Sequence, residues 1–148
     1  MIMVRSRVKK YAVDTEQLTQ DVFTLLNDLG YADFDIGILL TTSKVIQRYN
    51  RDFRHKDQPT DILAFPYHNI RPSKRIVVVH EEDKNLGDLI ISLEYVAKKA
   101  HEQGVAFEVY IKKLLVHGIC HLLGYDHIKD VEYRRMAKEE KRLLKKIM

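Results

Sequence analysis

The sequence predicts a single α+β domain in which helices cover a small mixed β-sheet. Three observations carry this expectation. The chain is 148 residues with 45% hydrophobic content, enough for one core of its own. Apolar runs of strand length alternate with helix-period segments over the first two thirds, and only helical periodicity follows. No internal repeat or low-complexity tract interrupts that order.

Leu18, Val22, Leu25, Leu26 and Leu29 recur at helical spacing after Asp14, a residue suited to an N-cap, and before Gly30, suited to a C-cap. A helix over 14–29 follows. Phe34 to Thr41 reads as a strand buried on both faces, and Ser43 to Asn50 as a brief helix carrying Val45, Ile46 and Tyr49. Arg51 to Gln58 is polar and reads as a loop, and a strand is expected from about Thr60 to Phe65, since Pro66 cannot donate to a ladder. Residues 67–75 read as an exposed connection, and Ile76 to Val79 as a strand that forms a hairpin with Leu86 to Ile91 through the acidic turn Glu81 to Asn85. Ser92 caps a helix to about Gln103 with Leu93, Val96, Ala97 and Ala100 inward, and Gly104 ends it. A more apolar helix runs from Phe107 to Leu123, and Asp130 is expected to cap a last one bearing Tyr133, Met136, Ala137, Leu143 and Leu144.

A formal charge of +4 favours polyanionic partners, and Arg5, Arg7, Lys9 and Lys10 concentrate it near the start, but ordinary enzymes also show so mild an excess. One cysteine, Cys120, forms no internal disulfide, so a reducing interior, the cytoplasm, is the expected location. No stretch approaches the roughly 18 apolar residues of a membrane span, and no h-region follows the basic start.

The chemistry concentrates in His117-Gly118-Ile119-Cys120-His121-Leu122-Leu123-Gly124-Tyr125-Asp126-His127, at the end of the apolar helix. His117 and His121, four apart, project from one helix face and can share an ion about 2.0–2.1 Å from each ring nitrogen. Gly124 can take positive φ and turn the chain so that His127 supplies a third ligand. Three protein ligands leave a fourth tetrahedral position open, the pattern of a catalytic zinc, which lowers the pKa of a bound water to about 7 or polarises a phosphoryl oxygen. One zinc per chain is expected. The alternative, three unrelated histidines with ordinary hydrogen bonds, does not explain why the spacing, the helix breaker and the apolar helix agree. Cys120 lies off the histidine face and reads as a buried small hydrophobe, while His55, His68, His80 and His101 show no comparable spacing. Metzincin proteases share this ligand spacing as HExxHxxGxxH, with the glutamate as general base. Gly118 stands in its place, which weakens a peptidase reading and suggests that a backbone or substrate approaches closely there.

The segment resembles the YbeY-type endoribonucleases, or rRNA maturation factors, whose metal motif reads HGxxHxxGYDH. Asn50 to Arg54 with Asp57, Thr60 to Pro66, Leu86-Gly87-Asp88, and the last helix with Met136 and Glu139 or Glu140 also resemble that family in order; Ala64 replaces its more usual serine and 67–85 follow no family pattern. The resemblance implies zinc on His117, His121 and His127. It further implies an Arg54 needed for activity, RNA as substrate, and a place in ribosomal RNA maturation at the small-subunit 3′ end and in ribosome quality control, with the small subunit and assembly factors as partners. An arginine in a polar loop suits a phosphate, because its planar fork donates two parallel hydrogen bonds. Asp88 reads either as a partner of a ligand or as a turn residue, and Asp126 either orients a ligand imidazole or closes the turn before His127. A peptide-cutting metallohydrolase and a non-catalytic ribosome-assembly factor with a zinc-fixed fold are the rival readings.

Overall fold

Local capping sets the first helix. Asp14 accepts a hydrogen bond from the Gln17 amide at 3.0 Å and Gly30 closes the other end at φ 83°, giving α1 (Thr15–Leu29), which buries Leu18, Val22, Leu25 and Leu26. The computed structural model describes residues 1–148. Its other elements are β1 (Ile2–Ser6), β2 (Asp35–Thr41), α2 (Ser43–Arg54), β3 (Ile62–Pro66), β4 (Asn85–Ser92), α3 (Leu93–Gln103), α4 (Phe107–Leu122) and α5 (Asp130–Ile147), with a short 3-10 turn at Glu81–Asp83.

The strands form one sheet in the order β1-β2-β4-β3, with β1, β2 and β4 parallel and β3 antiparallel to β4. The expected α+β domain with a mixed sheet is therefore what forms. Its two faces are covered unequally. Ile36, Ile38 and Leu40 of β2 with Leu89 and Ile91 of β4 join α1, α3, α4 and α5 in the main core. On the other face only α2 packs, with Ile46 against Leu63 and Ile90. Strand β2 is thus fully buried on one face and half-buried at Gly37 and Leu39 on the other, short of the expected burial on both.

Further expectations are corrected. Residues 76–79 form no strand and make no hairpin: β4 has β2 on one edge and β3 on the other, so no ladder remains for them. Ile76 is instead buried, with its amide donating to the Tyr31 hydroxyl at 3.2 Å, while Val77 and Val79 face solvent. Helix α2 continues to Arg54 and does not stop at Asn50. The buried Asn50 side chain donates to the Gln58 carbonyl at 2.9 Å, and His55 ends the helix in the left-handed region at φ 59°. Arg51 to Arg54 therefore belong to a helix, not to a polar loop. Strand β1, absent from the sequence expectation, uses the short alternation of Ile2 and Val4 inside a basic segment to pack at the sheet edge.

Helix α4 is the central one, with buried residues from Tyr110 to Leu122 around most of its circumference. A Cβ on Gly118 would lie 2.8 Å from both Ile62 Cδ1 and Leu89 Cδ2, so the close approach expected there is to sheet side chains, neither backbone nor substrate. Helix α5 begins after an extended Lys129; Asp130 is its first helical residue and forms no cap. Its inward stripe is Met136, Leu143 and Ile147, whereas Tyr133 and Ala137 face outward. Lys112 of α4 donates to the Asp21 carboxylate at 2.7 Å and to the Ile147 carbonyl at 2.9 Å, tying α1, α4 and the end of α5 together.

Candidate metal centre

The last turn of α4 carries His117 and His121 on one face, and the chain behind them turns back sharply. Gly124, at φ 91°, donates from its amide to the His121 carbonyl at 3.1 Å, and Tyr125 donates to the Cys120 carbonyl at 3.1 Å. A Cβ at Gly124 would fall 2.1 Å from the Ile70 carbonyl oxygen, so the connection after β3 presses on this turn. Asp126 accepts from the His127 amide at 2.7 Å, which closes the turn and answers which of its two roles it takes. His127 thereby arrives beside the helical pair, its ring centroid 5.9 Å from that of His117 and 5.3 Å from that of His121.

One ligand nitrogen from each of the three rings lies within 4.8 Å of the others, a cluster that could hold a metal ion. The Nε2 atoms of His117 and His121 are 3.1 Å apart. Two nitrogens each about 2.0–2.1 Å from one tetrahedral ion stand about 3.3 Å apart, so the pair fits a shared ion with only small side-chain adjustment. His117 and His121 are half-buried and His127 is exposed, leaving the cluster open on one side. Burial, then the neighbouring His117 and His127, push the His121 pKa below the usual histidine range and favour the neutral ring that a metal requires. Cys120 is fully buried with its thiol pushed well up by burial and by the Glu140 and Glu139 carboxylates, so it stays a protonated apolar filler.

The other singled-out residues fall elsewhere. Arg54, in the last turn of α2, is exposed and has no hydrogen bond or ion pair with any protein group. Asp88 shares the α2 face with Ile90, since Leu89 between them points into the main core; its Oδ1 lies over Gly37. It therefore cannot orient the histidines, which belong to the helix on the opposite face, nor is it a turn residue, because it sits within β4. Asp61 anchors the start of β3 by accepting from the Ile62 amide at 2.8 Å and the Tyr110 hydroxyl at 3.0 Å. His68 contacts the Asp83 carbonyl at 2.7 Å and stays outside the cluster.

Sequence reasoning left one contact unread. His117 Nδ1 lies 2.9 Å from Glu140 Oε2 on α5, while the adjacent Glu139 pairs with Arg142 at 2.6 Å. Glu140 follows Met136 by four residues and precedes Leu143 by three, so it stands in the inward stripe of α5. A carboxylate beside an apolar stripe is the signal, but it points equally to Glu139, three after Met136 and four before Leu143, and only the packing of α5 on α4 tells the two apart.

The family model described as Endoribonuclease YbeY matches residues 3–148. The chain is similar to Endoribonuclease YbeY of Carboxydothermus hydrogenoformans, at 39% identity over 127 residues, 86% of this chain and 81% of the relative. It is similar to that of Geobacter sulfurreducens at 32% identity, covering 96% of this chain and 92% of the relative. The solution structure of TM1509 from Thermotoga maritima superposes with a TM-score of 0.66 at 25% identity, covering 99% of this chain and 89% of that one. No helix is long and apolar enough to cross a membrane. The histidine triad closed by Gly124, the glycine at 118 and a family match running through nearly every residue converge: the chain belongs to the endoribonuclease YbeY family.

Proposed function

We propose that this chain is a zinc-dependent endoribonuclease that cuts unpaired RNA, acting in the cytoplasm on ribosomal RNA, including the small-subunit 3′ end, and in ribosome quality control. The observation that carries the reading is the open triad of His117, His121 and His127, set at the end of a buried helix that has glycine at 118 where a peptidase would need its general base. The names of the relatives support RNA as the substrate class. When bound, zinc supplies Lewis-acid polarisation of a phosphoryl oxygen and acidifies water at neutral pH.

The protein's own groups do the rest. His117, His121 and His127 bind as neutral imidazoles, and their three nitrogens leave one side of the cluster for substrate. The turn from Gly124 to Asp126 fixes the third ring against the other two. Arg54, free of protein partners, offers its planar fork to a phosphate and stabilises the charge that builds there during cleavage. Helices α2 and α4 pack on opposite faces of the sheet, both beside the edge strand β3, and the proposed path for RNA runs along that edge. Unpaired RNA is favoured because its bases and backbone are accessible, whereas a continuous A-form duplex hides its base edges.

Arg54→Ala is expected to lower RNA cleavage about 10²-fold with metal content and fold unchanged, because the exposed side chain makes no hydrogen bond or ion pair in the free protein. Arg54→Lys keeps the charge but loses the fork and should recover only part of the rate. Metal content by elemental analysis and single-turnover cleavage check both; wild-type rates in Arg54→Ala would leave the residue an ordinary surface arginine. The function itself is tested by offering purified protein, metal-stripped and zinc-restored, both unpaired RNA and peptides. Zinc-restored RNA cleavage with peptides spared is expected. Peptide hydrolysis without RNA cleavage would overturn the reading, and ribosome binding with neither activity would favour an assembly factor.

A further inference from the structure

We infer that Glu140 is the positioning residue of the triad, holding His117 in the tautomer and orientation that a metal ion needs. The inference rests on the reading of the triad as a metal site. An imidazole ligates through the lone pair of one nitrogen while its other nitrogen carries the proton. An ionised carboxylate only accepts hydrogen bonds, so the 2.9 Å contact between Glu140 Oε2 and His117 Nδ1 requires the proton on Nδ1. The lone pair is then on Nε2, the atom that faces His121 Nε2 at 3.1 Å inside the cluster. The contact thus selects both which nitrogen ligates and where it points.

Position and surroundings agree. Glu140 lies along the inward stripe of α5 between the buried Met136 and Leu143, its side chain 31% exposed, where an apolar residue would pack with less desolvation cost. The cost is offset by the single bond to His117, since Glu140 has no arginine or lysine partner. The adjacent Glu139 differs: it is held by Arg142, which also reaches Asp28, and so belongs to the link between α5 and α1. Of the two neighbouring carboxylates, the structure assigns Glu140 to the triad. Helix α5 therefore has a part in the site although it contributes no ligand. Toward a bound ion, its carboxylate would place a negative charge one imidazole away and raise the basicity of the ligating nitrogen.

The test is zinc affinity, measured by competition with a chromophoric chelator, on full-length wild-type chain and on Glu140→Ala, Glu140→Gln and Glu139→Ala. Denaturant midpoints of the four metal-free proteins check that each is folded. Glu140→Ala should bind zinc about 10–100-fold more weakly. Glu140→Gln, whose amide oxygen still accepts from Nδ1 without the charge, should recover part of that loss. Glu139→Ala should bind as wild type does, although it loses the ion pair with Arg142. A purely structural role would move the denaturant midpoint of Glu140→Ala and leave zinc affinity the same in folded protein. Wild-type affinity in Glu140→Ala overturns the inference alone. A wild-type chain that binds no metal overturns the triad reading and the inference with it.

Discussion

His121→Ala is expected to lower zinc-dependent RNA cleavage by on the order of 10³-fold or more and to leave the fold in place. His121 sits half-buried on α4, its ring centroid 4.5 Å from that of His117 and 5.3 Å from that of His127. Removing it leaves two ring nitrogens, too few to fix an ion with one open position. Metal assistance is worth several kcal/mol in phosphoryl chemistry, and each ~1.4 kcal/mol is tenfold in rate. Alanine is the best helix former, and the truncated ring lies at the open side of α4, so circular dichroism should be unchanged. Retention of more than a tenth of wild-type cleavage by folded, zinc-supplemented His121→Ala would place the chemistry elsewhere.

Gly124→Ala should be the most damaging single methyl group at the site. The residue sits at φ 91°, where an L side chain is strained, and its Cβ would collide with the backbone carbonyl of Ile70 at 2.1 Å. Backbone cannot rotate away as a side-chain end can, so the turn itself must shift and carry His127 out of the cluster. A loss of roughly 2–3 kcal/mol in urea unfolding is expected, together with weaker zinc binding. Gly104→Ala is the matched control. It has φ 64° but nothing within 4 Å of its Cβ, so it should cost only about 1 kcal/mol of conformational strain and leave zinc affinity alone. Equal effects from the two substitutions would show that the Ile70 contact does not hold the turn.

Both substitutions probe features that local sequence makes legible. The pairs Asp14 with Gly30 and Ser92 with Gly104 mark α1 and α3 because capping is decided within a few residues. The triad is legible for the same reason, since helix spacing and one glycine place all three rings. Strand partners are not local. The run Val77 to Val79 has every intrinsic preference for a strand, yet both edges of β4 are taken by β2 and β3, which arrive from elsewhere in the chain. Strand β1 is masked by the basic run Arg5, Arg7, Lys9 and Lys10 that begins within it, and α2 outruns its apparent end because the Asn50 amide finds its partner at Gln58. Asp88 could be assigned to a face only once its register with Gly37 and Phe65 was known. Glu140 meets His117 across 23 residues, and only helix packing separates it from Glu139.

The claim underlying every other expectation is that the three histidines hold a metal ion. Elemental analysis of protein purified without chelator or acid reads this directly. About one zinc per chain is predicted, falling sharply in His117→Ala and His121→Ala. Folded wild-type protein that carries no transition metal, and takes up none when zinc is supplied, would contradict it.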